Sequence, residues 1–144
     1  MPTKIFNFLK AHFKRISLLQ ISIAIVYLWF GGLKFFNNTS PAEEIAKDTI
    51  SILTMGIIPR ETTIILLAIL EVGIGIFLLL DIYRKQTIIV TLGHMACTFT
   101  SLLILNEASF TYSPYAPTLL GQYIIKNLII VAALISIYQS SRKA

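Results

Sequence analysis

The sequence predicts an all-α integral membrane protein, a left-handed four-helix bundle with a short outer amphipathic helix. The prediction rests on the composition, on four long apolar stretches and on the placement of the basic residues. Of the 144 residues, 56% are hydrophobic and 13% are charged, whereas soluble domains have about 45–50% apolar and about 25% charged residues. The apolar stretches and their short connections use nearly the whole chain, so we expect one domain over residues 1–144.

Four stretches are apolar and long enough to cross a bilayer, which takes roughly 20 helical residues for a hydrocarbon core of about 30 Å. They lie at about 16–36, 62–80, 87–105 and 119–138. Buried helices of a soluble protein are the alternative, but too little polar sequence remains to cover four of them. The first stretch is too long for the apolar region of a signal peptide and has no small-residue cleavage site after it, so we expect a retained helix.

The basic residues predict the orientation of these helices. Two of them, Lys47 and Arg60, lie in the loops on one side of the membrane. Eight lie on the other side: Lys4, Lys10, Lys14, Arg15, Arg84, Lys85, Arg142 and Lys143. The positive-inside rule therefore places both termini and the short loop at 81–86 in the cytoplasm. Because the positive residues flank apolar segments, the net charge of +5 does not indicate nucleic-acid binding.

Segments outside the four stretches also carry structural signals. Ser40 to Glu43 combines a capping box with proline at the first helical position, and Gly56 offers a stop, so we expect an outer helix at about 41–54. It is either a lid or a connector. On this helix we expect Ile45, Ile52 and Leu53 to face the membrane or the bundle mouth, and Glu43, Glu44, Lys47 and Asp48 to face water.

Two further segments are expected to lie at the membrane surface. The N-terminus places Phe6, Leu9, Phe13 and Ile16 at helical spacing among lysines, which favours a basic amphipathic helix at the inner headgroups. A frayed, solvated tail is the alternative there. The outer loop at 106–118 carries aromatic residues between prolines, which suits an interfacial aromatic belt.

Polar and small residues fall on one stripe of each predicted span, and a repeat of 3.5 residues implies left-handed packing with these stripes inward. For most Thr, Ser, Gly and Ala positions, packing is a sufficient explanation. The four stripes are Gln20, Ala24, Tyr27, Gly31 and Lys34; Ile64, Ala68, Glu71, Gly75 and Leu78; Thr87, Thr91, His94, Thr98 and Ser101; and Gln122, Lys126, Ile129, Ala133 and Ser136.

The charged residues of the stripes need a different explanation. A charged side chain near the bilayer centre costs about 2.5–3.5 kcal/mol on insertion scales, so such residues usually pair or face a cavity. We expect Glu71 and Lys126 to face each other in the outer half of the bundle, with Lys34 and His94 as the alternative partners of Glu71. No metal site is predicted, because His94 and Cys97 are too few ligands. As the only cysteine, Cys97 also excludes a disulfide within one chain.

Three segments resemble the DoxX-like superfamily of small four-helix bacterial membrane proteins. They are Trp29 to Phe35 (WFGGLKF), Glu71 to Gly75 (EVGIG) and Gly121 to Asn127 (GQYIIKN). The resemblance implies an inner-membrane protein with cytoplasmic termini, in a family associated with thiosulfate:quinone oxidoreduction, oxidative-stress complexes and hypochlorite resistance. Lys34, Glu71 and Lys126 match characteristic polar positions, but the family supplies no agreed catalytic set.

The sequence leaves two functions open. One is a non-enzymatic membrane module that binds a lipid or small molecule, or stabilises a membrane or periplasmic partner, either alone or as a homo-oligomer. The alternative is a subunit of a quinone-linked redox or oxidative-stress system, the only enzyme class considered. The candidate ligand-binding or polar-core residues are Lys34, Glu71, His94, Lys126, Gln122, Tyr27 and Trp29. Three of them (Lys34, Lys126, His94) could donate hydrogen bonds to quinone carbonyls, with Tyr27, Trp29 and Phe30 packing the ring.

Overall fold

The computed structural model describes residues 16–36, 39–40 and 43–143, and it is mostly helical. The amphipathic helix expected around Phe6, Leu9 and Phe13 lies outside the described residues. The elements in chain order are α1 (Leu18–Leu33), α2 (Glu43–Leu53), α3 (Arg60–Leu80), α4 (Arg84–Ile104), α5 (Asn106–Ser109), β1 (Phe110–Tyr112), β2 (Ala116–Pro117), α6 (Leu119–Lys126) and α7 (Leu128–Lys143).

Within the described residues, three helices are long and apolar enough to cross a membrane: α3, α4 and the continuous stretch Leu119–Ser141 formed by α6 and α7. The first predicted span is shorter than expected. Its helix α1 begins after Ser17, whose hydroxyl accepts a hydrogen bond from the Gln20 amide at 3.1 Å. With 16 residues, α1 extends about 24 Å, less than a hydrocarbon core of about 30 Å.

The long helices enclose one apolar core. Helix α1 packs along α3 and also contacts α7, while α4 contacts both α3 and α7. Each of these helices therefore has two neighbours around a common interior. The buried core consists of Ile23, Ala24, Tyr27, Ile74, Leu78, Ile88, Met95, Leu134 and Ile137.

The inward stripes predicted for the first three spans are confirmed, because every residue on them is buried or half-buried. The stripe predicted for the fourth span is wrong, since Gln122, Lys126 and Ile129 are exposed. Its buried side is apolar instead, with Ile124, Leu134 and Ile137 turned inward. The prediction assumed one regular helix with its polar residues inside. The helix is interrupted at Asn127, whose amide bonds to the Ile124 carbonyl at 3.0 Å, three residues back. The buried and half-buried residues nevertheless keep a regular helical spacing through this point, at Ile124, Val131, Leu134 and Tyr138. The error therefore lies in the choice of polar rather than apolar residues for the inward stripe.

Two glycines allow α1 and α3 to approach closely. A methyl group at Gly31 would lie 2.8 Å from Glu71 Cβ and 3.0 Å from the backbone nitrogen of Val72. A methyl group at Gly75 would lie 2.7 Å from Leu28 Cγ. Since real Cβ atoms do not come so close to other heavy atoms, a larger residue at either position would push the helices apart.

Helix α2 lies within the segment predicted to be helical, against α3 and α4. Its Thr49 hydroxyl donates to the Ser101 hydroxyl of α4 at 2.9 Å. Gly56 follows it with φ +74°, the left-handed conformation typical after a helix.

The expectation that Glu43 and Lys47 face water is wrong, because the two residues are 4% and 6% exposed. Spaced by four residues on one helix face, they form an ion pair at 2.8 Å, and each compensates the charge of the other when α2 turns this face inward. The hydrogen bond to Glu43 raises the pKa of Lys47 above its ordinary value. Exposed Glu44 and half-buried Asp48 both pair with Arg60 at the start of α3.

The outer loop at 106–118 is more ordered than the sequence analysis foresaw. It contains the short helix α5 and an antiparallel hairpin of β1 and β2. Tyr112 and Tyr115 on it are 75% and 90% exposed. The loop also positions α6, because a methyl group at Gly121 would lie 2.1 Å from the Ser109 carbonyl oxygen, and the Thr118 hydroxyl donates to the Ala108 carbonyl at 2.8 Å.

The glycine contacts generate a stability prediction with matched controls. We expect Gly31→Ala and Gly75→Ala each to lower the free energy of unfolding by about 1–3 kcal/mol, the usual cost of overpacking. Gly32→Ala and Gly73→Ala should leave stability unchanged or slightly higher, because nothing lies within 4 Å of a methyl group at either position. Chemical unfolding in detergent micelles measures the four variants. If Gly31→Ala and Gly75→Ala were no more destabilising than the two control substitutions, the close packing of α1 on α3 would be contradicted.

Candidate functional site

Four side chains from α1, α3, α4 and the turn after α1 form one connected polar cluster. Lys34 Nζ lies 2.6 Å from Glu71 Oε2. The other carboxylate oxygen of Glu71 lies 3.4 Å from His94 Nε2, and His94 Nδ1 lies 3.0 Å from the Tyr27 hydroxyl. We call these four residues the polar cluster. It brings opposite charges and a titratable imidazole together among otherwise apolar helices.

The backbone geometry directs Lys34 toward Glu71. Side chains on a helix tilt toward its N-terminus, so a lysine at the end of α1 extends back along the helix rather than beyond it. Its ammonium also lies 3.4 Å from the Phe30 carbonyl, one turn earlier. Both Lys34 and Glu71 are 7% exposed. The close approach at Gly31 brings Glu71 into reach, so the glycine and the ion pair depend on the same helix contact.

His94 and Tyr27 extend the cluster across the interior. Their rings meet edge to face, with centroids 5.6 Å apart and planes at 65°. A neutral imidazole with its proton on Nε2 satisfies every contact: the Tyr27 hydroxyl donates to Nδ1, and Nε2–H points to Glu71. Protonation of Nδ1 would require the Tyr27 oxygen to accept instead. The arrangement can therefore hold or pass a proton between Tyr27, His94 and Glu71.

The polar cluster borders a first pocket of about 180 Å³. Apolar side chains from α1, α4, α6 and α7 form most of its wall. Among them, Val26 and Phe30 of α1 and Tyr123 of α6 are 38%, 42% and 50% exposed, so the pocket opens to the protein surface between α1 and α6. The lining residues are Val26, Tyr27, Phe30, Lys34, Ser40, Glu71, His94, Met95, Thr98, Leu120, Tyr123, Ile124, Asn127 and Ile130.

A second pocket of about 120 Å³ lies on the other side of the polar cluster, beneath α2. Ile45, Thr49 and Ile50 of α2 form part of its wall. Five residues line both pockets: Lys34, Glu71, His94, Thr98 and Ile124. The polar cluster therefore lies between the opening at α1 and α6 and the space beside α2.

The structure brings together four of the seven residues singled out in the sequence: Lys34, Glu71, His94 and Tyr27. The predicted pairing of Glu71 with Lys126 is wrong, because Lys126 is exposed, and Glu71 contacts the two alternative partners instead. The reason is that the fourth span is rotated relative to the prediction, so that its apolar side faces inward. The same rotation leaves Gln122 on the surface.

Trp29 is 68% exposed and does not line either pocket. Phe30, Tyr123 and Asn127 do line the first pocket, and the sequence analysis gave Tyr123 and Asn127 no role. Tyr123 and Asn127 lie four residues apart and therefore share one helix face, but the prediction turned the adjacent face, with Gln122 and Lys126, inward. Within residues 16–36, 39–40 and 43–143, no group of three or more His, Cys, Asp or Glu residues could hold a metal ion.

Comparison with protein-family models, with curated proteins and with solved structures finds no match to this chain. The DoxX-like resemblance therefore rests on the three short segments quoted above and stays a prediction. Two of these segments contribute directly to the polar cluster, through Lys34 and Glu71.

The buried ion pair generates a double-mutant prediction. Glu71→Gln leaves the Lys34 ammonium buried without its counter-charge, so we expect the free energy of unfolding to fall by about 3–5 kcal/mol. Adding Lys34→Met should recover at least half of that loss, whereas adding Lys126→Met should recover none.

Glu44→Gln serves as the control, because the Glu44 side chain is 70% exposed and its ion pair with Arg60 is solvated. Thermal and chemical unfolding in the same detergent compare all variants. Recovery by Lys126→Met instead of Lys34→Met would show that the pairing described here is incorrect.

Proposed function

We propose that this chain is a multi-pass membrane protein of the DoxX-like kind that binds an amphiphilic small molecule in the first pocket. The observation that carries the proposal is the placement of a buried, charged and hydrogen-bonding cluster at the end of an otherwise apolar pocket that opens between two helices. Such a pocket suits a ligand with an apolar body and one polar group. The function is that of a binding module rather than of an enzyme.

The exposed surface supports embedding in a membrane. Large apolar side chains cover the outside of the long helices, for example Leu18, Trp29 and Ile129 at 78%, 68% and 73% exposure. A soluble monomer rarely exposes so much contiguous apolar surface, and a bilayer would cover it without a free-energy cost. In the proposed arrangement α1, α3, α4 and the α6–α7 segment form a four-helix transmembrane bundle. The bilayer thins locally around the shorter α1.

The basic residues support an inner-membrane orientation with cytoplasmic termini. Arg84 and Lys85 lie at the turn between α3 and α4, on the side assigned to the cytoplasm. In this orientation α2 and the hairpin lie on the outer side, and the polar cluster extends from the outer end of α1 to the middle of α3 and α4. The mouth between α1 and α6 then faces the outer half of the lipid bilayer, from which an amphiphilic ligand can enter sideways.

The pocket is polar at its buried end and apolar toward its mouth. The Lys34 ammonium, which has three N–H donors, can donate to a ligand at the buried end of the pocket, and the Tyr27 hydroxyl oxygen can accept. Val26, Phe30 and Ile130 supply apolar walls toward the mouth. A polar group of the ligand would approach the cluster while the rest of the molecule stays among these side chains.

A quinone-linked redox subunit is the second candidate function. Two aromatic side chains, Phe30 and Tyr123, line the pocket that also holds the donors, which suits a carbonyl-bearing ring. The ring-packing role suggested by the sequence for Trp29 passes to Tyr123. In this function the Tyr27, His94 and Glu71 chain would deliver or accept the protons that accompany quinone reduction, while the partner subunit supplies the electrons.

A pocket-filling substitution tests ligand binding without disturbing the ion pair. Ile130→Phe places a larger apolar side chain in the pocket wall, so we expect about a tenfold or greater loss of ligand retention. Ile129→Phe is the matched control, because Ile129 precedes Ile130 in the sequence but is 73% exposed and lies outside the pocket. Native mass spectrometry of protein purified in mild detergent counts the retained molecule, and its absorption spectrum distinguishes a quinone from a lipid.

Thermal unfolding of both variants should be close to that of the native chain. Equal ligand retention by Ile130→Phe and Ile129→Phe would contradict the pocket as the binding site. A retained quinone would favour the redox subunit over the general binding module.

A further inference from the structure

We propose that Lys126 binds the phosphate of an anionic lipid headgroup at the rim of the first pocket, in the outer half of the membrane. The site is separate from the polar cluster and does not require the proposed pocket ligand. It rests on the membrane embedding proposed above, because only embedding makes a lone exposed lysine in an apolar helix costly.

Lys126 has no anionic side chain of its own chain as a partner. All seven Asp and Glu residues lie within the described residues, and none forms an ion pair with its ammonium within 4.0 Å. They are Glu43, Glu44, Asp48, Glu61, Glu71, Asp81 and Glu107. The Lys126 ammonium instead lies 5.8 Å from the centroid of the Tyr123 ring. A counter-charge must therefore come from outside the chain.

The direction of the side chain identifies where that counter-charge lies. Helix α6 begins on the outer side, and Lys126 is its eighth residue, about 10 Å below the start of the helix. Because side chains tilt toward the helix N-terminus, Lys126 extends back over Tyr123, toward the outer headgroups. The segment Leu119–Ser141 has 23 residues and spans about 34 Å, more than the hydrocarbon core of about 30 Å. Its outer turn therefore lies at headgroup level, within reach of the lysine by snorkelling.

Neighbouring polar groups complete the site. Gln122 is exposed and lies four residues before Lys126, on the same helix face. Its side-chain amide can donate to phosphate oxygens beside the ammonium. Tyr123 belongs to both sites, since its ring lies near the Lys126 ammonium and also lines the pocket. A headgroup bound at Lys126 would stand at the mouth of the pocket, with its acyl chains along the gap between α1 and α6.

A lipid explains the lysine better than a second copy of the chain. A homodimer through this face would need an exposed carboxylate at the same depth. The most exposed carboxylates, Glu44, Glu61 and Glu107, belong instead to the outer segments or to the first turn of α3. Anionic lipid surrounds the helix, and its phosphate lies at the headgroup level that the Lys126 ammonium reaches by snorkelling.

The experiment compares lipid retention by native mass spectrometry of protein transferred from nanodiscs of equal parts phosphatidylglycerol and phosphatidylcholine. We expect Lys126→Gln to retain about fivefold less phosphatidylglycerol, the effect of one basic residue near an anionic surface. Phosphatidylcholine retention should not change. Lys126→Arg should restore the native value. Lys85→Gln is the matched control, because it removes an exposed lysine from the opposite end of the bundle.

Each other outcome overturns the proposal in a distinct way. Equal losses for Lys126→Gln and Lys85→Gln would show a general surface-charge effect, and no loss would show that Lys126 binds no lipid. Titration with inorganic phosphate alone distinguishes a lipid phosphate from a free one. If inorganic phosphate saturates Lys126 while both lipids are retained equally, the ligand is a soluble anion and the proposal is wrong. A dimer that dissociates in Lys126→Gln would assign the lysine to an interface between copies. Failure to enter nanodiscs would instead contradict the membrane embedding.

Discussion

The ion pair between Lys34 and Glu71 is the interaction on which the arrangement of the interior depends. Two opposite charges buried among apolar helices are stable only when they contact each other, since either one alone would carry a large desolvation penalty. Their contact requires α1 and α3 to approach closely, and Gly31 and Gly75 permit that approach. The close contact between α1 and α3 and the buried ion pair are therefore two aspects of one structural solution.

The tight packing of α1 on α3 has a consequence on the opposite side of α1. Helix α6 is held by the outer loop, where Gly121 fits against the Ser109 carbonyl and Thr118 bonds to Ala108. Because the loop fixes α6, this helix does not pack closely against α1, and the gap between α1 and α6 is the first pocket. Glu71 and His94, which are held by the contacts of the polar cluster, form the polar end of that pocket. The first pocket thus lies between two helices that are fixed by different neighbours.

Much of the interior could be predicted from the sequence, because three spans are regular helices with one clear stripe each. On those spans, counting steps of three and four residues identified Lys34, Glu71, His94 and Tyr27 as inward residues. The same counting failed on the fourth span, because the prediction placed its polar residues inside by preference, whereas its apolar residues Ile124, Leu134 and Ile137 are buried. The burial of Glu43 and Lys47 was not predicted, because a single charged residue favours water, whereas two opposite charges four residues apart can pair and be buried together.

The most direct test of the central claim is the through-space contact between Lys34 and Glu71 in a lipid bilayer. Solid-state NMR can measure the dipolar coupling between lysine ¹⁵Nζ and the glutamate ¹³C carboxyl carbon. A Lys47→Arg background removes the other lysine that lies within 4.0 Å of glutamates in the described part of the chain. The structure predicts a strong coupling, consistent with its 2.6 Å nitrogen–oxygen contact, that disappears on Glu71→Gln. No coupling, or one that persists in Glu71→Gln, would contradict the account.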